Sequence, residues 1–150
     1  MITAALLAIE ALAPVASLRN SMLVYPLINA GHILGVALLV GAIVPLDLRL
    51  AGLWSRTAID HLMPVLAQTA MAGFMLAVVS GALLFATRAS EYAASPLFLG
   101  KLLLIVLAGL NAAWLLRRGG ATGGAMRASA IVSMVLWIAV LLLGRLVGYF

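Results

Sequence analysis

Three side chains in one apolar run have the types and spacing to do chemistry: Tyr25, Asn29 and His32, within YPLINAGHILGVALLVGAIVPLDLRLAGL (residues 25–53). Steps of four and three put all three on one face of a helix. An imidazole held in hydrocarbon could serve as an axial haem ligand, a copper ligand or a proton-relay group, with Tyr25 and Asn29 orienting it. The competing reading is structural: a neutral histidine whose N–H is satisfied by Asn29 or by another helix. His61 opens the second apolar run beside Asp60, where water can satisfy it. The first run ends about fourteen residues past His32, which leaves roughly 20 Å of depth between the two imidazoles. One chain therefore cannot offer both to one iron, and a bis-histidine haem b would need His32 from a second copy across a two-fold axis.

Met63, Met71 and Met75 fall on one face of the second run, since steps of eight and four nearly close the helical turn. Thioethers beside an imidazole suit Cu(I), so His32, Met71 and Met75 form an alternative metal set; methionine is also an ordinary filler of apolar helices. The chain has no cysteine, which excludes thiolate metal sites, disulfides and Cys nucleophiles. Nothing resembles a P-loop, a zinc HExxH or a nucleophile elbow, and no residue is assigned a catalytic role.

The elements that must carry these residues follow from hydropathy. Of the 150 residues, 66% are hydrophobic and 9% charged, against about 25% charged in an average soluble domain. From Leu23 to Leu46 no side chain is charged if His32 is neutral, and roughly 20 helical residues cross a bilayer core of about 30 Å. Four such runs, about 23–46, 62–87, 96–116 and 126–147, predict an all-α integral membrane protein, an up-down-up-down four-helix bundle in one domain spanning 1–150. Before them, Thr3, Glu10 and Ser17 recur every seven residues, which predicts a short interfacial helix over about 2–18 that Pro14 ends or bends. Asp60 reads as the N-cap of the second span, and Ser95-Pro96 as the start of the third. The segment 88–95 reads as a loop, and Arg117, Arg118 and Gly119–Gly124 as a flexible turn.

The net charge of +5 comes from basic residues placed in the gaps between spans, which points to lipid head groups and topology signals and away from nucleic acid. Five of them (Arg49, Arg56, Arg117, Arg118, Arg127) fall on one side and four (Arg19, Arg88, Lys101, Arg145) on the other. That bias favours both termini outside the cytoplasm, periplasmic for a bacterial inner membrane protein. Gly31 and Gly35 form a GxxxG pair, read either as packing inside one bundle or as a homodimer seam. Gln68, Ser80 and Asn111 are expected to bond between helices, and Ser129, Ser133 and Trp137, at i, i+4 and i+8, to face another helix. Lys101 either snorkels to the head groups or pairs with Glu91, and Asp47 and Arg49 read as separate interface anchors.

The run holding His32, its DLRL exit (Asp47–Leu50), and the SPLFLGKLLLIVLAGLNAAWL segment with Phe98, Lys101 and Asn111 resemble an uncharacterised family of bacterial four-helix membrane proteins. The resemblance covers about Tyr25 to Leu116 and implies the four-helix fold without implying an activity. A fainter similarity, a first-span histidine followed by a Gly-rich helix, is to the membrane domain of copper-resistance protein D, which implies copper handling. Two functions are carried forward: a non-catalytic accessory or assembly subunit, and a haem b- or copper-binding protein using His32.

Overall fold

A computed structural model of the chain describes residues 2–54, 56, 59–117 and 123–149, without the side chains of Ile2 and Leu116. Among them are seven helices and no strand: α1 (Ile2–Glu10), α2 (Ala13–Asn20), α3 (Val24–Ala51), α4 (Ile59–Thr87), α5 (Ala89–Ala94), α6 (Pro96–Arg117) and α7 (Gly124–Leu146). Four of them, α3, α4, α6 and α7, are long and apolar enough to cross a membrane, and they form the bundle. The protein is a multi-pass membrane protein. Arg118 and most of the Gly119–Gly124 turn lie outside the described residues.

The single N-terminal helix expected over 2–18 is two helices. Leu12 is extended (φ −59°, ψ 132°), and Pro14 falls in the opening turn of α2. A proline ring would clash with the carbonyl four residues back in a continuous helix, whereas in a first turn its missing N–H costs nothing. The first span also departs from expectation, running six residues past Pro45 to Ala51 with the proline inside it. Burial explains the continuation, because Asp47 and Leu50, beyond the proline, both pack inside the bundle. Gly52 ends α3 at φ 116°, a left-handed C-cap that disfavours any side chain, and its N–H bonds back to Arg49 and Leu48 carbonyls. Asp60 is the second residue of α4, inside the helix and not its N-cap. The loop expected over 88–95 contains α5, held by stacking of Phe85, Tyr92 and Phe98 with ring centroids 5.4 to 6.3 Å apart.

Two hairpins make up the bundle. In the first, α3 and α4 approach backbone to backbone: a Cβ on Gly35 would lie 2.6 Å from Ala77 N, and one on Gly73 2.6 Å from Leu39 N. Only glycine at both positions permits that closeness, and dispersion across it replaces the hydrophobic drive that lipid does not supply. The second hairpin pairs α6 with α7, and α3 packs on α7 to join the two. The core is Leu39, Ala42, Ala70, Ala108, Trp137 and Val140, with Phe74 meeting Trp137 edge-on at 6.3 Å. The backbones of α4 and α6 stay apart, and aromatic side chains bridge them.

With 28 residues, α3 exceeds α6 and α7, which have 22 and 23, by about 8 Å. Arg127, near the start of α7, lies over Gly52 just past the end of α3, so the excess projects at the opposite end. There α1 packs on α5, and the Glu10 carboxylate accepts from the Ser90 N–H and hydroxyl, both at 2.7 Å. These bonds hold the Glu10 carboxyl below its usual range, with Arg19 adding to the effect. Burial pushes the Tyr92 hydroxyl up, and Tyr25 beside it adds to the shift.

Candidate functional site

His32 occurs on α3 one turn before Gly35, where the two helices are closest, so its ring is pressed onto α4. A Cβ on Gly81 would sit 3.0 Å from His32 Cε1, so α4 presents a bare backbone to the imidazole. The Nδ1 atom lies 3.0 Å from Ala77 O and 3.2 Å from Ser80 Oγ. A carbonyl only accepts, so Nδ1 carries the proton and donates. Ser80 gives its own proton to Leu76 O at 2.5 Å, which leaves its oxygen as a second acceptor for the same Nδ1–H. With Nδ1 protonated, the neutral ring has its lone pair on Nε2, which has no hydrogen-bond partner among the described residues. An N–H fixed on a carbonyl with the other nitrogen bare is the orientation that metal-ligating histidines adopt.

The partner of His32 is therefore another helix and not Asn29, which is exposed. Tyr25 is half-buried beside Tyr92. Helical spacing puts Tyr25, Asn29 and His32 on one side of α3, with Tyr25 and His32 half-buried and Asn29 exposed. Met71 and Met75 are 61% and 53% exposed. Both lie about 160° around α4 from Gly73, the residue that meets α3, so they face away from His32. Among the described residues no three His, Asp or Glu side chains gather where a metal ion could sit. A shallow apolar groove of about 300 Å³ runs between α3 and α4, lined by Leu27, Gly31, Leu76, Ser80 and Leu83 among others; His32 does not line it.

Lys101 was invisible to sequence reasoning as a neighbour of this site. Its side chain crosses to α7, where its Nζ would be 3.3 Å from a Cβ on Gly144, and it is close enough to His32 to act on it electrostatically. Glu91, its expected partner, pairs instead with Arg88 at 3.3 Å on the surface. His61 is exposed.

The other polar residues inside the spans tie helices together. Asn111 donates from Nδ2 to Ser129 O and accepts from Ser129 Oγ, both at 3.0 Å, joining α6 to α7. Ser129, Ser133 and Trp137 are all buried, as their spacing predicts. Asp47 is not an interface anchor: it is 5% exposed and faces α7, with Ser133 as its hydrogen-bonding neighbour. Gln68 is exposed and makes no such tie among the described residues. Gly35 is filled by α4, whereas a Cβ on Gly31 would meet nothing within 4 Å, so only half of the GxxxG pair is used inside the chain. Comparison of the chain with protein-family models, with curated proteins and with solved structures returns no match.

Proposed function

We propose that this chain is a non-catalytic membrane subunit, an accessory or assembly partner in a bacterial inner membrane. Its α5 end and both termini lie on the periplasmic side, the end with the fewer basic residues. One observation carries the reading. Two sets of interior polar groups bond helix to helix, His32 and Ser80 within the first hairpin and Asn111 and Ser129 within the second, which is the use an assembly subunit makes of polar residues in lipid. Absorption spectra and metal analysis of the purified protein test it. A colourless, metal-free sample is the expected result. A Soret band, or one copper per chain, that disappears in His32→Ala would overturn it.

A second reading has one specific observation in its favour, the anchored Nδ1–H and bare Nε2 of His32. It makes His32 an axial ligand to haem b shared by two copies, because one chain supplies a single well-placed imidazole. The donor set fits copper less well, since Met71 and Met75 face away from the ring. The same spectrum separates the two readings, and a haem signal that survives His32→Ala would remove this residue from both cofactor schemes.

A further inference from the structure

Asp47 is a carboxyl group buried in a membrane helix without a counter-charge paired to it among the described residues. It lies one turn before the end of α3, and its Oδ2 has no hydrogen-bond partner among the described residues. No ion pair to Asp47 is formed among them. Ser129, one turn from Ser133 on α7, gives its hydroxyl to Asn111, so the polar neighbour that remains for Asp47 is the Ser133 hydroxyl. One neutral hydroxyl does not compensate an ionised carboxylate removed from water, so the group needs a positive counter-ion. Ionisable side chains that face the interior of a membrane bundle mark ion and proton paths, and carboxylate with hydroxyl oxygen is a donor pair for hard cations.

We propose that Asp47 and Ser133 form a binding site for a monovalent cation, a proton or Na+, at the seam between α3 and α7. Among the described residues, the charged and titratable groups at this end are Arg49 on α3, Arg56 between α3 and α4, Asp60 and His61 in the opening turn of α4, Arg117 closing α6, and Arg127 on α7 with its guanidinium over Gly52. They sit at or just beyond the helix ends, and the groups that act on the Asp47 carboxyl itself are its apolar surroundings and the Ser133 hydroxyl. The site does not depend on the accessory reading, because a haem-bearing protein and a colourless one can both bind a cation here.

A hydrophobic carbodiimide, which modifies carboxyl groups in apolar surroundings, tests the proposal on the full chain in micelles, with the modified peptide read by mass spectrometry and Asp47→Asn as the blank. Asp47 is expected to be modified. If Na+ is the occupant, exchanging choline for Na+ at constant pH and ionic strength slows the modification several-fold. If a proton is the occupant, the rate falls as pH rises and Na+ has no effect. Ser133→Ala is expected to weaken the Na+ protection or move the pH midpoint while Trp137 emission stays unchanged. Failure to modify Asp47 from mildly acidic to alkaline pH, a rate indifferent to both pH and Na+, or a Ser133→Ala protein with the wild-type dependence would overturn the assignment.

Discussion

Replacing Gly35 with alanine adds one methyl group where α3 and α4 have no room for it. The new Cβ would lie 2.6 Å from Ala77 N and 2.9 Å from Gly73 O, both backbone atoms that no rotamer change can move. Ordinary contact begins at 3.4 Å, so the helices must separate locally by 3.4 − 2.6, about 0.8 Å. A gap of that size forfeits roughly a quarter to a half of each neighbouring dispersion contact. Overpacking of this kind costs about 1–3 kcal/mol, and the better helix propensity of alanine returns up to about 1 kcal/mol. The expected net loss is about 1–2 kcal/mol, read as a lower unfolding midpoint in mixed micelles followed by far-ultraviolet circular dichroism. Gly31 and Gly41 are the internal controls, because a Cβ at either meets nothing within 4 Å. Their alanine variants should be neutral or slightly stabilised. Equal destabilisation by Gly31→Ala and Gly35→Ala, or a neutral Gly35→Ala, would show that the close approach is not what holds the hairpin. The same pair bears on self-association: a Gly31→Leu protein that keeps its stability but loses cross-linked dimers would place Gly31 at a seam between copies.

Removing the imidazole in His32→Ala deletes the bond from Nδ1 to Ala77 O and leaves a half-filled space above Gly81, a loss of about 1–2 kcal/mol in the same unfolding assay. A larger effect accompanied by a change in absorption would point to a lost ligand instead of a lost tie. Asn111→Leu breaks both bonds to Ser129 and should cost about 1–2 kcal/mol, at roughly 0.6 kcal/mol or more per bond within a membrane, with no effect on the α3–α4 hairpin. Docking of α1 on α5 should depend on pH through Glu10, whose carboxyl is held below 4.5, its ordinary value, by the Ser90 N–H and hydroxyl. Because the docked-state value is the lower one, the contribution is complete above about pH 4.5 and is lost as pH falls through the docked-state value. Protection of the Ser90 amide against hydrogen exchange, taken relative to its intrinsic rate, should fall over that window, and protection that is the same in wild type and Glu10→Ala would refute the contact.

Hydropathy made the four spans legible because crossing lipid imposes a length and a composition on each helix, and a composition this apolar leaves few alternatives. The facing of Ser129, Ser133 and Trp137 was equally legible, since a spacing of four fixes a side of a helix. Direction around the helix could be read, but the identity of the neighbour could not. Tyr25, Asn29 and His32 share a side, yet Tyr25 and His32 are half-buried and Asn29 is exposed, and only the assembled bundle shows which of them a neighbouring element covers. Pro45 misled for a related reason: a proline marks a lost backbone bond, and whether the helix continues depends on what the residues beyond it bury. The residues beyond it were Asp47 and Leu50, and a charged residue near a span boundary looks the same in sequence whether it faces head groups or a neighbouring helix.

The distribution of polar contacts gives the bundle a division of labour. His32 and Ser80 tie α3 to α4, and Asn111 and Ser129 tie α6 to α7, so each hairpin is bonded within itself. Between hairpins the α4–α6 side is bridged by aromatic stacking, which is tolerant of sliding, and the α3–α7 side carries the Asp47–Ser133 contact beside Trp137. The buried carboxyl thus occupies the joint between two separately bonded halves. Polar groups that only stiffened the fold would serve best inside the hairpins, where the others are found. A carboxyl with one oxygen unsatisfied at the joint stabilises neither half, which is the arrangement expected of a group kept for what it binds.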